Sequence, residues 1–387
     1  MTARRIYLDY NAGAPLRPEA RAAMVAALGA VGNASSVHAE GRRARQLIES
    51  ARAEVAALAG ADPRRVTFTS GGTEANVTVL APEAMIGGGR EPVHRLLYAA
   101  TEHPSVTAGG RFAPDCIEPI PVDADGVVDL SALATRLAAV AAAGERALVS
   151  VMLANNETGA IQPVAEVARI AREHGALSHT DAVQAAGRIP VAIGALGIDF
   201  LTLSAHKIGG PQGAGAIVAR SQNVEALPLL RGGGQESGRR AGTENVAAIA
   251  GFGAAARAAL GDLSAADRWL AWRERLIAAA RSVGPVVVFA EGADRLPQTV
   301  CLGLAGAAAE TAVIGLDLAG VAVSSGAACS SGKVGPSHVL AAMGIAPELA
   351  RSAVRISYGW ETGENELDMF QTAWQHVVGR ILKGKAA

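Results

Sequence analysis

The sequence predicts an α/β protein built on a mostly parallel sheet with helices on both faces. Two observations carry this. Short apolar runs bounded by turn residues alternate with segments of helical periodicity, the pattern of strands joined by crossover helices. Polar groups also collect just past the ends of those runs: His103, Asn155, Asp181, Gln184 and Lys207. Open α/β sheets place their ligands at that edge. A chain of 387 residues exceeds one hydrophobic core, so two domains are expected.

In chain order, residues 6–8 read as a short strand and 19–28 as an amphipathic helix. The polar loop 32–38 precedes an arginine-rich helix over 39–59, which Ser35 or Ser36 could cap. Residues 65–69 alternate like a strand. Ser-Gly-Gly-Thr-Glu-Ala-Asn (70–76) then opens a helix with small residues and hydroxyls, where free N–H groups and the helix dipole favour an anion. Strands follow at 95–100, 117–122, 147–153, 176–181 and 200–203, with a helix at 163–174. The glycines at 209, 210, 213 and 215 turn the chain tightly into a partner strand at 216–218. The polar, glycine-rich stretch 230–245 reads as a binding loop. Two long helices, 246–260 and 265–283, lead to further strands at 285–290, 298–304 and 321–324 and a helix at 310–319.

Half the residues are hydrophobic and 18% are charged, which supports a large core and excludes a disordered chain. The net charge of −1, without a long basic run, leaves no electrostatic footprint for nucleic acid. The first residues lack the pattern of a signal peptide. Even the apolar segment 245–260 is broken by Arg257, short of a membrane span. These features point to a cytoplasmic protein without a membrane partner. Cys116, Cys301 and Cys329 are odd in number and far apart, which fits neither a disulfide framework nor a zinc site. Cys116 and Cys301 read as small hydrophobes. Cys329 stands among serines, glycines and alanines with nothing apolar to bury it, so its thiol is expected to be used.

The candidate groups share one chemistry. A lysine such as Lys207 can form a Schiff base, and an acid such as Asp181 can pair with a pyridinium nitrogen. Together they are what pyridoxal 5′-phosphate requires. Thr73, Ser204 and His206 offer donors for its phosphate. Arg355, set between apolar residues of a strand, needs an anion, and a substrate carboxylate suits its planar guanidinium. A different reading, a metal site from His174, His179 and Asp181, suffers from irregular spacing.

The chain resembles the nitrogen-fixation-type branch of group I cysteine desulfurases, class V aminotransferase relatives of fold type I. The matching stretches run along nearly its whole length. They include Tyr-Leu-Asp-Tyr-Asn (7–11), Gly-Asn-Ala-Ser-Ser-Val-His (32–38), Ser-Gly-Gly-Thr-Glu-Ala-Asn (70–76), Thr-Glu-His (101–103) and Asn-Asn-Glu-Thr-Gly (155–159). His-Thr-Asp-Ala-Val-Gln (179–184), Ser-Ala-His-Lys (204–207), Arg-Arg-Ala-Gly-Thr-Glu-Asn (239–245) and Ser-Ser-Gly-Ala-Ala-Cys-Ser-Ser (324–331) complete the set.

The resemblance implies a large cofactor-binding domain over 16–260 with a mostly parallel seven-stranded sheet. Residues 1–15 and 261–387 would form a smaller α+β domain carrying the Cys329 loop and Arg355. It implies that Lys207 carries the cofactor, that Asp181 pairs with the pyridine nitrogen and that Gln184 contacts the ring hydroxyl. His103 would stack on the ring and assist proton transfers. Thr73, Ser204 and His206 would bind phosphate, with Thr243 reaching in from the partner of a homodimer. Asn155 would serve cofactor and substrate, and Arg355 the substrate carboxylate. Cys329 would take sulfur from L-cysteine as a persulfide, leaving L-alanine. A sulfur-acceptor protein such as an iron–sulfur scaffold would then receive the sulfur. No resident metal is implied, although Cys329 could transiently ligate an iron–sulfur cluster. A selenocysteine lyase or another class V enzyme is the alternative. Gly13-Ala14 and Ala327-Ala328 depart from the family's usual residues without removing a catalytic group.

Overall fold

The structure, a computed structural model, describes residues 5–326 and 337–383. Seven strands form its main sheet, in the order Val66–Thr69, Gly215–Ala219, Phe200–Ser204, Leu177–Asp181, Ala147–Ser150, Arg95–Ala99 and Ile117–Ile120. Only Gly215–Ala219 runs antiparallel to its neighbours. Six strands therefore end at one edge, and the loops leaving them meet there.

Five of the seven strands, Val66–Thr69, Gly215–Ala219, Phe200–Ser204, Leu177–Asp181 and Ala147–Ser150, are buried at every position, as strands covered by helices on both faces should be. On one face, Val55 and Leu58 of helix Ala39–Leu58, Leu133 and Leu137 of Leu130–Ala142, Val167 of Val164–Glu173 and Phe252 of Val246–Gly261 share a core with the sheet. Helix Val246–Gly261 is long and apolar, but most of it is buried. A Cβ on Gly253 would stand 2.6 Å from that of Ala51, so glycine is what lets these helices approach so closely. On the other face, Ala75 and Val79 of helix Gly72–Val79 pack with Leu80, Val106 and Phe112.

A four-stranded antiparallel sheet, Val286–Val288, Thr299–Leu304, Ala353–Ser357 and Ser324–Ser325, builds a second core with helices Ala266–Arg281, Ala309–Leu318 and Glu364–Lys383. Trp269, Trp272, Phe370 and Trp374 fill it. The first strand, Ile6–Tyr7, pairs with Val321–Ala322 and buries Ile6 in this second core.

Several elements differ from expectation. The strand expected over 147–153 stops at Ser150, because residues 151–154 bend over the sheet edge while staying buried. Likewise, the strand expected over 117–122 stops at Ile120. The reading missed a three-stranded sheet of Glu83–Ile86, Gly89–Pro92 and Val224–Ala226. Gly87 and Gly88, both at positive φ, make the two-residue turn that joins its first strands. It also passed over the helices Leu130–Ala142 and Glu364–Lys383. The loop containing Cys329 lies outside the described residues.

Strand Gly215–Ala219 runs directly beneath the cap of helix Gly72–Val79. A Cβ on Gly215 would lie 2.5 Å from the carbonyl carbon of Gly71. Gly215→Val should therefore push strand and helix apart and destabilise the fold by about 1–3 kcal/mol. Gly194, whose Cβ would meet open space, is the control, and Gly194→Ala should not lower Tm. Thermal unfolding of both variants checks this, and an unchanged Tm for Gly215→Val would contradict the packing described.

Candidate active site

A cavity of about 330 Å³ opens at the edge where the parallel strands end. Its walls include Thr73, Asn76, His103, Asp181, Gln184, Ser204, His206, Lys207 and Arg355. Each arrives there for a local reason. Asp181 is the last residue of its strand, and Ser204 the last of the next, leading into the turn Ala205–Lys207. Thr73 lies in the first turn of helix Gly72–Val79. His103 caps the helical turn Pro104–Thr107, its ring accepting the Ser105 N–H, with proline at the first helical position. Arg355 comes from the second sheet.

Several of the groups around the cavity are buried, and their protonation follows from that. His206, next to Lys207, is pushed down to about 4 by burial and by the lysine's charge, so it is neutral. Burial also lowers His103; Asp181 opposes this, while Lys207 and His338 add to it. Beneath His103, burial drives the fully enclosed Glu102 well above the usual carboxylate range, helped by the charge of Asp181. Asp181 itself accepts the Val183 N–H at 2.9 Å through Oδ1 and the Asn76 amide at 2.8 Å through Oδ2. These are bonds that an ionised carboxylate takes.

The lysine is held by the N-terminal segment. Lys207 Nζ donates to the carbonyls of Asn11 at 2.5 Å and Ala12 at 2.9 Å. Asn11, which the sequence reading did not single out, is a hub. Its carbonyl also receives Gln184 Nε2 at 3.0 Å, and its Oδ1 receives Arg188 at 2.9 Å. Arg188 is buried, with no carboxylate partner among the described residues, and burial pushes it down to about 9, still charged at neutral pH. It bonds Gln184 Oε1 and the Gln184 carbonyl. That pins the Gln184 amide with its NH₂ away from the guanidinium. Arg355 Nη2 pairs with Asp9 at 2.7 Å and Nη1 with the Asn156 carbonyl at 2.9 Å. Its buried Nε has no hydrogen-bond partner among the described residues.

Asn155 does not line this cavity. Its amide donates to the Thr101 carbonyl at 3.0 Å, and its Oδ1 caps the N–H groups of Glu157 and Thr158. The neighbouring Asn156 lines the wall in its place. Thr243 lies elsewhere, in a surface depression with Glu236, Arg240 and Asn245. The metal-site alternative fails: His174 is tied to the Ile170 carbonyl and His179 to Ser150 and Thr202. Among the described residues no cluster of His, Cys, Asp and Glu could hold a metal ion. Cys301 is enclosed in the core, where burial drives its thiol far up, so it is inert. A second acid went unnoticed in the sequence. Glu157 is pushed up to about 7 by burial and bonds Ser337, which caps the helix His338–Ala342.

The donor set fits pyridoxal 5′-phosphate. Hydroxyls of Thr73 and Ser204 with neutral His206 line one end, at the N-terminus of a helix. Gly72 leaves a cradle there, since a Cβ would stand 3.2 Å from Val183 and 3.5 Å from Ser204. Asp181 lies on the same wall as Lys207, and the guanidinium of Arg355 lines that cavity too.

Comparison with known proteins agrees with this chemistry. The class-V aminotransferase family matches residues 6–370. A cysteine desulfurase of Cereibacter sphaeroides is 42% identical over 385 residues, covering 97% of this chain and 96% of that protein. A NifS-like protein from Rickettsia africae superposes with a TM-score of 0.86 at 35% identity, covering 97% and 99% of the two chains. SspA, solved in complex with cysteine, gives a TM-score of 0.72 at 26% identity over 91% of this chain and 98% of its own.

The buried histidine behind Asp181 makes a pH prediction. His179 is pushed down to about 4 by burial, against about 6.5 in an unfolded chain. Its contribution to stability is complete above pH 6.5 and is lost as pH falls towards 4, amounting to about 3 kcal/mol. The difference in unfolding free energy between wild type and His179→Gln should thus be flat above pH 6.5 and change steadily below it. Denaturant titrations across pH 4–8 check this; a pH-independent difference would contradict it.

Proposed function

This chain belongs to the class-V aminotransferase family, and we propose that it is a pyridoxal-phosphate-dependent cysteine desulfurase that stores the sulfur on Cys329. The observation that carries this is one cavity wall shared by a lysine, a buried acid and a buried arginine, in a chain closely similar to cysteine desulfurases along its length.

Lys207 would carry the cofactor, Thr73, Ser204 and His206 would bind its phosphate, and Asp181 and Gln184 would hold its ring. When bound, the cofactor supplies an electron sink that stabilises negative charge at the substrate's Cα. The rest falls to the chain. Arg355 receives the carboxylate of L-cysteine, its Asp9 pairing keeping the guanidinium oriented. Lys207 Nζ takes the Cα proton, and His103, over the cavity, exchanges a proton at Nε2. The Cys329 thiolate attacks the substrate sulfur. A bond forms between the two sulfurs, and the substrate Cβ–S bond breaks with its electron pair left on the carbon side. Cβ takes up a proton and Lys207 Nζ returns a proton to Cα, so that L-alanine leaves and the enzyme holds a persulfide. Cysteine and thiol become alanine and persulfide, with no outside oxidant.

The persulfide would then pass to an acceptor such as an iron–sulfur scaffold. We also propose a cytoplasmic homodimer, in which Thr243 of one copy would serve the site of the other. The position of Thr243, on the surface and away from the cavity of its own chain, supports that reading.

Lys207→Ala should lose both the cofactor's visible absorbance near its lysine-bound form and all alanine release. Cys329→Ala should stay yellow yet release alanine from cysteine at least about a hundredfold more slowly, since an attacking nucleophile is lost. Spectra and alanine assays on the two variants check this; full turnover by Cys329→Ala would overturn the role of that thiol.

A further inference from the structure

We propose that Asn76 is a positioning residue that holds Asp181 and His103 in one joint hydrogen-bond arrangement, through a chain whose direction is set inside the sheet. The inference rests on the function proposed above.

The chain starts behind the site. Ser150 Oγ lies 2.9 Å from His179 Nδ1, and His179 Nε2 lies 3.1 Å from Thr202 Oγ1. Thr202 Oγ1 is 2.6 Å from Asn76 Oδ1, an atom that only accepts, so the threonine's single proton goes there. Thr202 must then accept from His179 Nε2–H. With burial keeping His179 neutral, its Nδ1 is left to accept the Ser150 hydroxyl. Every link points towards the cavity.

Asn76 converts that direction into two bonds. With its carbonyl occupied, its NH₂ faces the site, giving one hydrogen to Asp181 Oδ2 at 2.8 Å and the other to Ser105 Oγ at 2.9 Å. Ser105 Oγ therefore passes its own proton to His103 Nδ1 at 2.8 Å, where the Ser105 N–H also donates at 3.1 Å. The Nδ1 of His103 is thus a lone pair, and the ring's proton sits on Nε2. Reversing the Asn76 amide would set its oxygen against a carboxylate and would leave Thr202 without an acceptor. The network accordingly keeps Asp181 supplied with donors, as a partner for a protonated ring nitrogen needs. It also makes His103 enter turnover as a donor from Nε2. The charged or titratable groups around His103 are Asp181, Lys207, His338 and, beneath it, Glu102, whose carboxyl meets the His103 backbone N–H. None of these reads out the amide; Asn76 does.

The test uses the full-length holoenzyme. Asn76→Asp sets a second carboxylate against Asp181 Oδ2. It should move the pH midpoint of the bound cofactor's absorbance by about one unit or more. It should also lower kcat at least about tenfold, leaving KM for cysteine within about threefold because Arg355 is untouched. Thr202→Val touches no wall of the cavity and removes the link that orients the amide together with the acceptor for His179 Nε2–H, so it should shift the same midpoint in smaller measure. Thr202→Ser, which keeps the hydroxyl, should restore the wild-type profile. If Thr202→Val lowers Tm while absorbance titration and pH profile stay as in wild type, the network is structural only and the proposal fails. It fails likewise if Asn76→Asp titrates as wild type does. Failure of the function itself looks different: the wild type would then bind no cofactor or release no alanine.

Discussion

Asn11 ties the two sheets together at the cavity, and the site depends on that knot. From the first residues of the chain it reaches Ser357, Thr299 and the Asn156 carbonyl on one side. On the other it holds Gln184, Arg188 and Lys207. Its side chain is almost completely buried, so each unmade bond would leave a polar group without water. Lys207 is thereby fixed by backbone carbonyls, which do not ionise. Next to this knot Asp9 holds Arg355, so one short segment orients both Lys207 and Arg355.

The charges of the site are arranged so that few are free to titrate. Arg188 stays cationic among carbonyl acceptors, because a delocalised guanidinium can be satisfied by neutral oxygens. His179 and His206 are kept neutral by burial, and Glu102 is driven towards its neutral form. What remains to meet a cofactor is one carboxylate, one lysine and one arginine, each held by at least one bond to the scaffold. That pre-organisation is the structural counterpart of electrostatic stabilisation, which acts most strongly where water is excluded.

Much of this was legible in the sequence, because the chemistry sits where strands end. Asp181, Ser204 and Lys207 follow apolar runs whose lengths fix the edge of the sheet, and the alternation of strands with helices predicts that these edges coincide. The three-stranded sheet of Glu83–Ile86, Gly89–Pro92 and Val224–Ala226 was not, since its outer strand Gly89–Pro92 is polar and exposed; only the Gly87-Gly88 turn signals it. The roles of Asn11, Asn76 and Arg188 were hidden for a different reason. Each of these buried groups takes its meaning in part from partners more than a hundred residues away, such as Asp181 for Asn76 and Asn11 for Arg188, and no local pattern records them. Asn155 and Asn156 show the limit most clearly, since adjacent identical residues differ only in which face of a tight turn each occupies.

The central claim is that Lys207 is the residue to which the cofactor is joined. The chain has four lysines, Lys207, Lys333, Lys383 and Lys385. Reducing the yellow holoenzyme with borohydride and mapping its peptides by mass spectrometry would locate the cofactor covalently. The account predicts a pyridoxyl group on Lys207 alone. A reduced adduct on any other lysine, with Lys207 unmodified, would contradict it.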